Sequence, residues 1–304
     1  MNPIVVTTGQ AFADIDTLAC AIAYTELLQV QGKPAETVLP GALNSSVTDS
    51  IKSWGLDYLT SPTHQDTEYV LVDISDPAHF ATCTKFGTVT EIYDHHSGYE
   101  AYWQEKIGTN AHIEPIGACA TLIWEEWKSR GQAQHISQKS AQLLAVAILS
   151  NTLNFGAIIT HERDRVAYTE LQARFPFSDE WIASYFSEQE EAILKNVRQS
   201  IINDTKVITL PSVHFTITVG QLELWDGSMF LKENTEAIES ALVSFGHDHW
   251  IMSIPSLSEK KNHFYTKNKD LKALFSRILG ITFDGDFATS PRLWLRKEII
   301  KQLS

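Results

Sequence analysis

The sequence predicts an α/β protein: an N-terminal domain with a mostly parallel sheet and helices on both faces, then a smaller C-terminal α+β domain. Two observations support this fold class. Short apolar runs alternate with helix-like stretches through the first half of the 304 residues, as in successive βαβ units. The pattern breaks at residues 174–178 and is strand-rich afterwards. We therefore expect a first domain over residues 1–178, a linker helix over 179–203 and a C-terminal substrate-binding domain over 204–304.

The composition is that of an ordinary globular protein, with 43% apolar residues. No apolar run approaches the ~20 residues that cross a bilayer, and the N-terminus lacks a basic segment followed by an apolar one. The cysteines Cys20, Cys83 and Cys119 are odd in number and scattered, which argues against disulfides and fits a reducing compartment. The sequence therefore predicts a cytoplasmic protein without a membrane partner.

The net charge of −13 is unevenly distributed. From Glu259 to Ser304 there are ten basic and five acidic residues, so the rest of the chain is strongly acidic. An acidic body repels nucleic acid, and we expect no such partner. The basic C-terminal segment could hold a small polyanion against metal ions, although a solvated basic surface is the simpler interpretation of the charge count alone.

The chain opens with a strand, a loop and a helix, the first part of a βαβ unit. The run Ile4–Thr8 is a strand candidate, and residues 9–16 form the loop. A helix with one apolar face is predicted from Thr17 to about Val30, with Asp16 or Thr17 as its N-cap.

The same alternation continues along the chain. Further elements of the first domain are predicted as strands at Glu36–Leu39, Tyr69–Val72 and Val89–Tyr93, and helices at Ser45–Trp54, from Asp76–Pro77 onward, at Gly117–Trp127 and at Ser137–Leu149, the last interrupted at residues 150–152. A long helical stretch follows at Glu180–Asn203. The C-terminal domain is predicted to contain strands at Val207–Leu210, Val213–Val219 and Trp250–Ile254, and a helix near Asn234–Phe245.

Acidic and imidazole side chains follow three of the predicted strands: Asp14 and Asp16, then Asp73, then Asp94 with His95 and His96. The carboxyl ends of parallel strands meet at one edge of a sheet, so these groups should lie close together. Carboxylates brought together there repel one another unless cations lie between them. A pair of metal ions sharing one carboxylate would activate water and neutralise a phosphoryl group. Taken singly, each Asp could instead cap a helix, which is the favoured interpretation of Asp76.

Four ordered motifs resemble those of the DHH phosphoesterases: residues 9–17, Val72-Asp73, Asp94-His95-His96 and residues 149–155. Within that family the chain most resembles the branch of family II (manganese-dependent) inorganic pyrophosphatases, exopolyphosphatases and prune-type proteins. Leu295-Arg296-Lys297 stands where this branch carries a basic Ser-Arg-Lys signature, and Asp204-Thr205-Lys206 resembles its substrate-binding lysine motif. The glycine-rich signature of the nuclease branch is not matched at Gly246-His247.

The resemblance implies roles for individual residues. It implies Asp14, Asp16, Asp73 and His95 as metal ligands, with Gln10 and Asn151 at further ligand positions. It implies Asp73, Asp94 and His96 as catalytic residues, and His96, Lys206, Arg296 and Lys297 as substrate-binding residues. The implied activity is hydrolysis of phosphoanhydride bonds in pyrophosphate, short polyphosphate or a related nucleotide by metal-activated water, with one or two Mn²⁺ or Mg²⁺ ions. A homodimer is one open arrangement.

Two positions depart from the pyrophosphatase pattern. Gln10 replaces a histidine in the first motif, and Asn151 replaces an aspartate in the fourth. An amide oxygen can bind a hard cation but brings no charge, which favours Mg²⁺ over softer metals. The alternative function is therefore a catalytically weakened or inactive DHH-like protein that binds a phosphorylated ligand or has a regulatory role. Outside the motifs, His247–His249 is predicted as a polar turn and His161–Asp164 as a helix cap.

Overall fold

The structure, a computed structural model, describes residues 2–10, 12–64, 66–210 and 215–303, without the side chains of Phe86, Leu210 and Lys297. Val213, in the predicted strand Val213–Val219, lies outside the described residues. The chain divides into two compact units. Unit 1 consists of Met1–Phe155 and Ile159–Ser178, and unit 2 of Gly156–Ile158 and Asp179–Ser304.

Unit 1 is built on a five-stranded parallel sheet, which confirms the predicted fold class. The strands of this unit are β1 (Ile4–Thr7), β2 (Phe12–Ala13), β3 (Ala35–Thr37), β4 (Ala42–Leu43), β5 (Tyr69–Val72), β6 (Val89–Asp94) and β7 (Ala111–Ile113). The sheet order is β3-β1-β5-β6-β7, while β2 and β4 form a separate parallel pair. The chain moves from β1 to one neighbour and later returns to β5 on the other side. The carboxyl ends of β1 and β5 therefore form a topological switch point, where open α/β sheets bind ligands.

Helices pack on the sheet because its strands are apolar on both faces. The helices of unit 1 are α1 (Ile15–Val30), α2 (Asp49–Lys52), α3 (Glu100–Ile107), α4 (Cys119–Ser129), α5 (Gln138–Asn151) and α6 (Glu162–Arg174). Val5, Leu71 and Ile92 share one core cluster with Trp103 of α3. The alternate strand residues, such as Val6 and Val70, are equally buried, as expected of a parallel sheet covered on both sides.

Several predicted boundaries in unit 1 were wrong for local reasons. Helix α1 begins at Ile15, two residues earlier than predicted, and its N-cap is Asp14, which accepts a hydrogen bond from Thr17 N at 2.9 Å. Neither Asp16 nor Thr17 is the cap. The predicted helix Ser45–Trp54 is reduced to the single turn α2. The residues before α2 form a turn instead, because Asn44 Oδ1 accepts hydrogen bonds from Ser46 N and Oγ.

Other elements were shifted or missed. The helix predicted from Asp76 onward is one 3₁₀ turn, Pro77–His79, and Asp76 is its cap as expected. Helix α5 continues through Ser150 and ends at Asn151. Helix α3 and strand β7 lie in a segment predicted as a loop. At the start of α6, His161 and Asp164 form a reciprocal capping box, which confirms the predicted cap.

Unit 2 is an α+β unit with a six-stranded mixed sheet. Its helices are α7 (Asp179–Leu194), α8 (Val197–Asn203), α9 (Phe230–Glu233), α10 (Thr235–Val243), α11 (Lys269–Leu279) and α12 (Arg296–Leu303). Its strands are β8 (Thr205–Leu210), β9 (Phe215–Gln221), β10 (Trp250–Ser256), β11 (Lys261–Tyr265), β12 (Phe283–Asp284) and β13 (Phe287–Ser290). The order is β12-β13-β11-β10-β9-β8, with only the β9–β10 pair parallel.

The predicted long helix Glu180–Asn203 is divided between α7 and α8. Asn196 leaves the helical conformation, with φ of −151° and ψ of 71°, and caps α8 by accepting a hydrogen bond from Gln199 N. His247–His249 form the predicted turn before β10. Across the described ranges, no helix has the length and apolar character that a membrane crossing requires.

Candidate metal centre

Most of the predicted site residues of unit 1 follow the carboxyl ends of β1, β5 and β6, next to the switch point, whereas Asn151 lies at the end of α5. Asp14 directly follows the short strand β2 and is the N-cap of α1, and Asp16 lies in the first turn of that helix. Asp73 directly follows β5, and Asp94 is the last residue of β6. The topology of the parallel sheet therefore brings together groups that are far apart in the sequence.

Asp16 is fully buried in the first turn of α1. Its carboxylate accepts hydrogen bonds at 2.8 Å from Cys119 N and Ala120 N, at the N-terminus of α4, and the Cys20 thiol lies 3.4 Å away. Burial, followed by repulsion from Asp14, raises the pKa of Asp16 to about 7, while the two backbone N–H groups act in the opposite direction. This carboxylate is held in place by backbone donors but remains short of positive charge.

Asp73 has a left-handed backbone conformation, with φ of 57°. Such conformations are rare outside glycine, although aspartate tolerates them, and they concentrate at functional sites. Thr17 Oγ1 donates to Asp73 Oδ2 at 2.7 Å, whereas the buried Oδ1 has no hydrogen-bond partner in the described part of the chain. Burial raises the pKa of Asp73, and Asp14, Asp16 and Asp94 raise it further.

In the Asp94-His95-His96 motif, Asp94 orients the two histidines and His95 faces the other carboxylates of the site. Asp94 Oδ1 accepts hydrogen bonds from His95 N at 2.8 Å, His96 N at 3.2 Å and His96 Nδ1 at 2.8 Å. His95 Nδ1 lies 3.1 Å from the Ile116 carbonyl oxygen, which can only accept, so this nitrogen carries the proton. The lone pair of His95 Nε2 then faces Asp73 Oδ1 at 3.4 Å and Asp16 Oδ2 at 4.0 Å.

The ligand atoms of Asp73, His95 and His96 all lie within 4.8 Å of one another. Their chemistry fits a divalent metal: a buried carboxylate oxygen without a hydrogen bond, an imidazole lone pair directed at it, and a second buried carboxylate at Asp16. Carboxylate oxygens with imidazole suit Mn²⁺ and Mg²⁺ better than soft metals. The His96 side chain is 56% exposed, so it borders the site on its solvent side.

Asp14, Gln10 and Asn151 lie outside this set of three. Asp14 Oδ1 is used to cap α1. Gln10 is exposed, and its Oε1 accepts hydrogen bonds from Thr82 N at 3.0 Å and Thr82 Oγ1 at 3.3 Å. Asn151 is half-buried at the end of α5, and its side chain makes no hydrogen bond to another residue that the structure describes.

The basic residues predicted to bind substrate lie in unit 2. Arg296 begins α12, and its Nη1 lies 2.6 Å from both the backbone oxygen and Oδ1 of Asp204. Asp204 immediately precedes β8, which carries the exposed Lys206. The two basic motifs of the sequence are therefore adjacent within unit 2. The Lys297 side chain lies outside the described residues.

Sequence reasoning missed the supporting groups of the centre. Thr17 and Cys20 contact Asp73 and Asp16, respectively, and the backbone of residues 116–120 contacts both Asp16 and His95. Thr17 lies inside the first motif, so its position could have suggested a role. Backbone contacts from residues about a hundred positions away have no signal in a single sequence.

Comparison with known sequences identifies the N-terminal part of the chain. Residues 4–148 match the sequence profile described as "DHH family, N-terminal domain". A probable manganese-dependent inorganic pyrophosphatase of Listeria welshimeri is 31% identical over 166 residues, which cover 54% of this chain and about half, 53%, of that protein. A protein of the same name from Exiguobacterium is 22% identical over 303 residues, covering 97% of this chain and 96% of the relative.

Solved structures share the fold. A putative family II inorganic pyrophosphatase of Methanococcus jannaschii superposes with a TM-score of 0.70 at 20% identity, covering 100% of this chain and 98% of that one. An exopolyphosphatase-related protein of Bacteroides fragilis has a TM-score of 0.54 at 13% identity, covering 99% and 90%. The expected resemblance to this branch is confirmed, and residues 4–148 resemble the N-terminal domain of the DHH family.

Proposed function

We propose that this protein is a divalent metal-dependent phosphohydrolase that cleaves phosphoanhydride bonds of pyrophosphate or short polyphosphate. The observation that carries the proposal is the buried pair of carboxylates, Asp16 and Asp73, which converge on His95 without a Lys or Arg partner among the described residues. Buried carboxylates in such an arrangement stay ionised only when a cation pairs with them. The relatives are named probable manganese-dependent inorganic pyrophosphatases, which supports Mn²⁺ as that cation.

The proposed roles of the residues follow from their contacts. Asp16, Asp73 and His95 would hold the metal, and Thr17 orients Asp73 through the 2.7 Å hydrogen bond. A bound Mn²⁺ or Mg²⁺ supplies Lewis acidity, which makes water a better nucleophile and offsets phosphoryl charge. Asp94 accepts from Nδ1 and fixes the His96 ring, so that Nε2 of this half-exposed ring can donate to a phosphate oxygen when the ring is in its imidazolium form.

We further propose that Lys206, Arg296 and Lys297 bind the phosphates of the substrate. Fixed cations stabilise the negative charge that phosphoryl transfer spreads over oxygen atoms. Asp204 engages Nη1 of Arg296 and thereby restricts the orientation of the guanidinium group. These assignments rest on the resemblance of the two basic motifs and on their proximity within unit 2.

The second candidate function is binding of a phosphorylated ligand without turnover. It is supported by Gln10, whose amide oxygen is occupied by Thr82, and by Asn151, which brings no charge to the fourth motif. Metal stoichiometry separates the two candidates, because two tightly bound metals per chain favour catalysis and one or none favours a decayed site.

The test is phosphate release from pyrophosphate and tripolyphosphate, with Mn²⁺, Mg²⁺ or chelator present. We expect metal-dependent release by the wild-type protein and a loss of at least about tenfold for His95→Gln, since even outer-shell changes cost about 10–100-fold at metal sites. His79→Gln is the matched control, because its side chain is 74% exposed and pairs only weakly with Asp76. The absence of release with every metal would refute the hydrolase and leave the ligand-binding candidate.

A further inference from the structure

One buried backbone segment contacts two of the proposed metal ligands. We name this segment, Ile116–Ala120, the strap. The Ile116 carbonyl oxygen accepts from His95 Nδ1 at 3.1 Å, which sets the tautomer of that ring. Cys119 N and Ala120 N donate to the two oxygens of Asp16 at 2.8 Å. The orientation of His95 and Asp16 therefore depends on where the strap lies.

Asp164 holds the strap from helix α6. This fully buried residue accepts hydrogen bonds from Gly117 N at 3.0 Å, Thr121 Oγ1 at 2.6 Å and His161 N at 2.7 Å. The first donor belongs to the strap, and the second directly follows it. All three partners are donors, so a single carboxylate connects the start of α6 to both ends of the segment.

Gly117 permits this contact because it has no side chain. A Cβ at this position would lie 2.3 Å from Asp164 Oδ2 and 2.8 Å from Thr152 Cγ2, far inside van der Waals contact. The strap and α6 can therefore approach this closely only with glycine at residue 117. The approach places the Asp164 carboxylate within hydrogen-bonding distance of Gly117 N.

We propose that Asp164 is a positioning residue for the metal centre, acting through the strap on Asp16 and His95. The inference rests on the proposed metal-dependent function, since it concerns the ligands of that metal. Asp164 contacts neither ligand and has no route to a bound substrate through its own side chain. Its contribution is to fix three backbone groups that would otherwise move with the loop between β7 and α4.

The experiment is a titration of the full chain with Mn²⁺, in which free Mn²⁺ is measured by its electron paramagnetic resonance signal. Asp164→Ala should weaken Mn²⁺ binding about tenfold, the lower end of the effect of outer-shell changes, and alter the spectrum of the bound ion. Asp164→Asn should restore near wild-type affinity. Its amide oxygen can accept from Gly117 N and His161 N, and its amide N–H can donate to Thr121 Oγ1.

Glu26→Ala is the matched control. Glu26 also accepts three hydrogen bonds, from Ser137 N at 2.6 Å, Ser137 Oγ at 2.7 Å and Ser140 Oγ, but these stabilise the start of α5 rather than the strap. The Glu26→Ala variant should have a lower thermal stability and an unchanged Mn²⁺ affinity. An equal loss of affinity in Glu26→Ala would overturn the inference, because general loosening would then explain both variants.

Unchanged affinity in a folded Asp164→Ala variant would also overturn it. If that variant does not fold, Thr121→Val removes one donor while keeping the side-chain shape, and a few-fold weakening of Mn²⁺ binding is expected. Wild-type affinity in Thr121→Val would count against the inference in the same way. A wild-type chain that binds no Mn²⁺ would overturn this inference and the proposed function together, whereas normal wild-type binding with unaffected variants would overturn the inference alone.

Discussion

Two clusters of polar side chains in unit 1, one half-buried and one at the candidate metal centre, differ in how their charges are balanced. In the first, which we name the arginine cluster, Arg130 pairs with Glu91 at 2.7 Å and Glu126 at 2.5 Å and also contacts the hydroxyl groups of Tyr24 and Tyr93. In the candidate metal centre, the hydrogen-bond donors to Asp16 and Asp73 among the described residues are neutral, and His95 lies beside both carboxylates.

The pKa shifts in the two clusters have different causes. In the arginine cluster burial alone would lower the pKa of Arg130, but Tyr24, Glu126 and Glu91 raise it, so the guanidinium is charged and balanced. In the metal centre, burial and neighbouring carboxylates act in the same direction and raise the pKa of Asp73. The arginine cluster has its charges balanced within the chain, whereas the carboxylates of the metal centre need either protons or a cation from outside the chain.

The largest expected effect is on activity. Asp73→Asn should lower metal-dependent phosphate release by more than about a hundredfold, because Asp73 is a proposed direct ligand and its loss should exceed the 10–100-fold typical of outer-shell changes. In the metal-free protein the same variant should be no less stable than wild type. An asparagine oxygen can still accept from Thr17, and its amide N–H replaces a carboxylate oxygen that has no hydrogen bond.

Phosphate release and urea unfolding in chelator, measured on one preparation, check both parts of this prediction. Asp66→Asn is the control, since the Asp66 side chain is 93% exposed and pairs with Lys85 at the surface. Near wild-type activity in Asp73→Asn would contradict the assignment of this residue as a ligand. A large loss of metal-free stability would contradict the description of the centre as unbalanced.

In the arginine cluster, removal of one charged partner should instead lower the stability of the metal-free protein. Arg130→Met should reduce the free energy of unfolding by ~2–4 kcal/mol, somewhat below the ~3–5 kcal/mol for breaking a fully buried pair, because the side chain is 17% exposed. Arg163→Met removes an arginine that pairs with Glu114 and Glu125 but is 36% exposed, and should cost about 1 kcal/mol or less. Equal losses in the two variants, measured by urea unfolding, would show that burial does not distinguish them.

The stabilisation that Mn²⁺ gives to each variant also distinguishes the two clusters. Saturating Mn²⁺ at about 100 times its dissociation constant should stabilise the wild-type protein by about 2.7 kcal/mol, because the ion binds the folded state. Arg130→Met should gain a similar increment, since its change lies outside the metal centre, whereas Asp73→Asn should gain much less. Thermal unfolding with and without Mn²⁺ measures these increments, and an equal gain in Asp73→Asn would place the bound ion elsewhere.

The sequence predicted the strands that carry the centre because their pattern is local. Tyr69–Val72 is an uninterrupted apolar run followed by Asp73, and β6 ends in the Asp-His-His motif. The convergence of these ends needed only the rule that parallel strands end at one edge. Helix α3 was missed because Trp103 is its only fully buried residue, so an otherwise polar segment shows no helical periodicity.

The supporting contacts of the centre could not be predicted in the same way. Asp14 and Asp16 are both good caps by residue type, and the choice between them depends on Cys119, which lies 103 residues from Asp16 in the sequence. Asp164 was correctly predicted as a capping residue from the local pattern. Its hydrogen bond to Gly117 spans 47 residues and has no local signal. Long-range backbone contacts of this kind become visible only in the folded chain.

The smallest expected effect concerns Asn151, at the end of α5. Glu26, late in α1, contacts the start of α5, so these extensively packed helices run antiparallel and the end of α5 lies toward the start of α1. Thr152, the next residue, would contact any side chain placed at Gly117 in the strap. Residue 151 is therefore near the residues that support Asp16, and a charge introduced there should be felt by the centre.

Asn151→Asp should accordingly tighten Mn²⁺ binding by about tenfold, equivalent to about 1.4 kcal/mol, because it adds a negative charge beside carboxylates that already lack a counter-charge. The same added charge should make the metal-free protein slightly less stable. Asn154→Asp, at an exposed position three residues later, controls for the change in net charge. Calorimetric titration of both variants with Mn²⁺ measures the effect. If affinity does not change while the metal-free protein loses stability, the carboxylate at residue 151 is close enough to repel its neighbours but is not directed at the metal, and the fourth motif supplies no ligand in this chain.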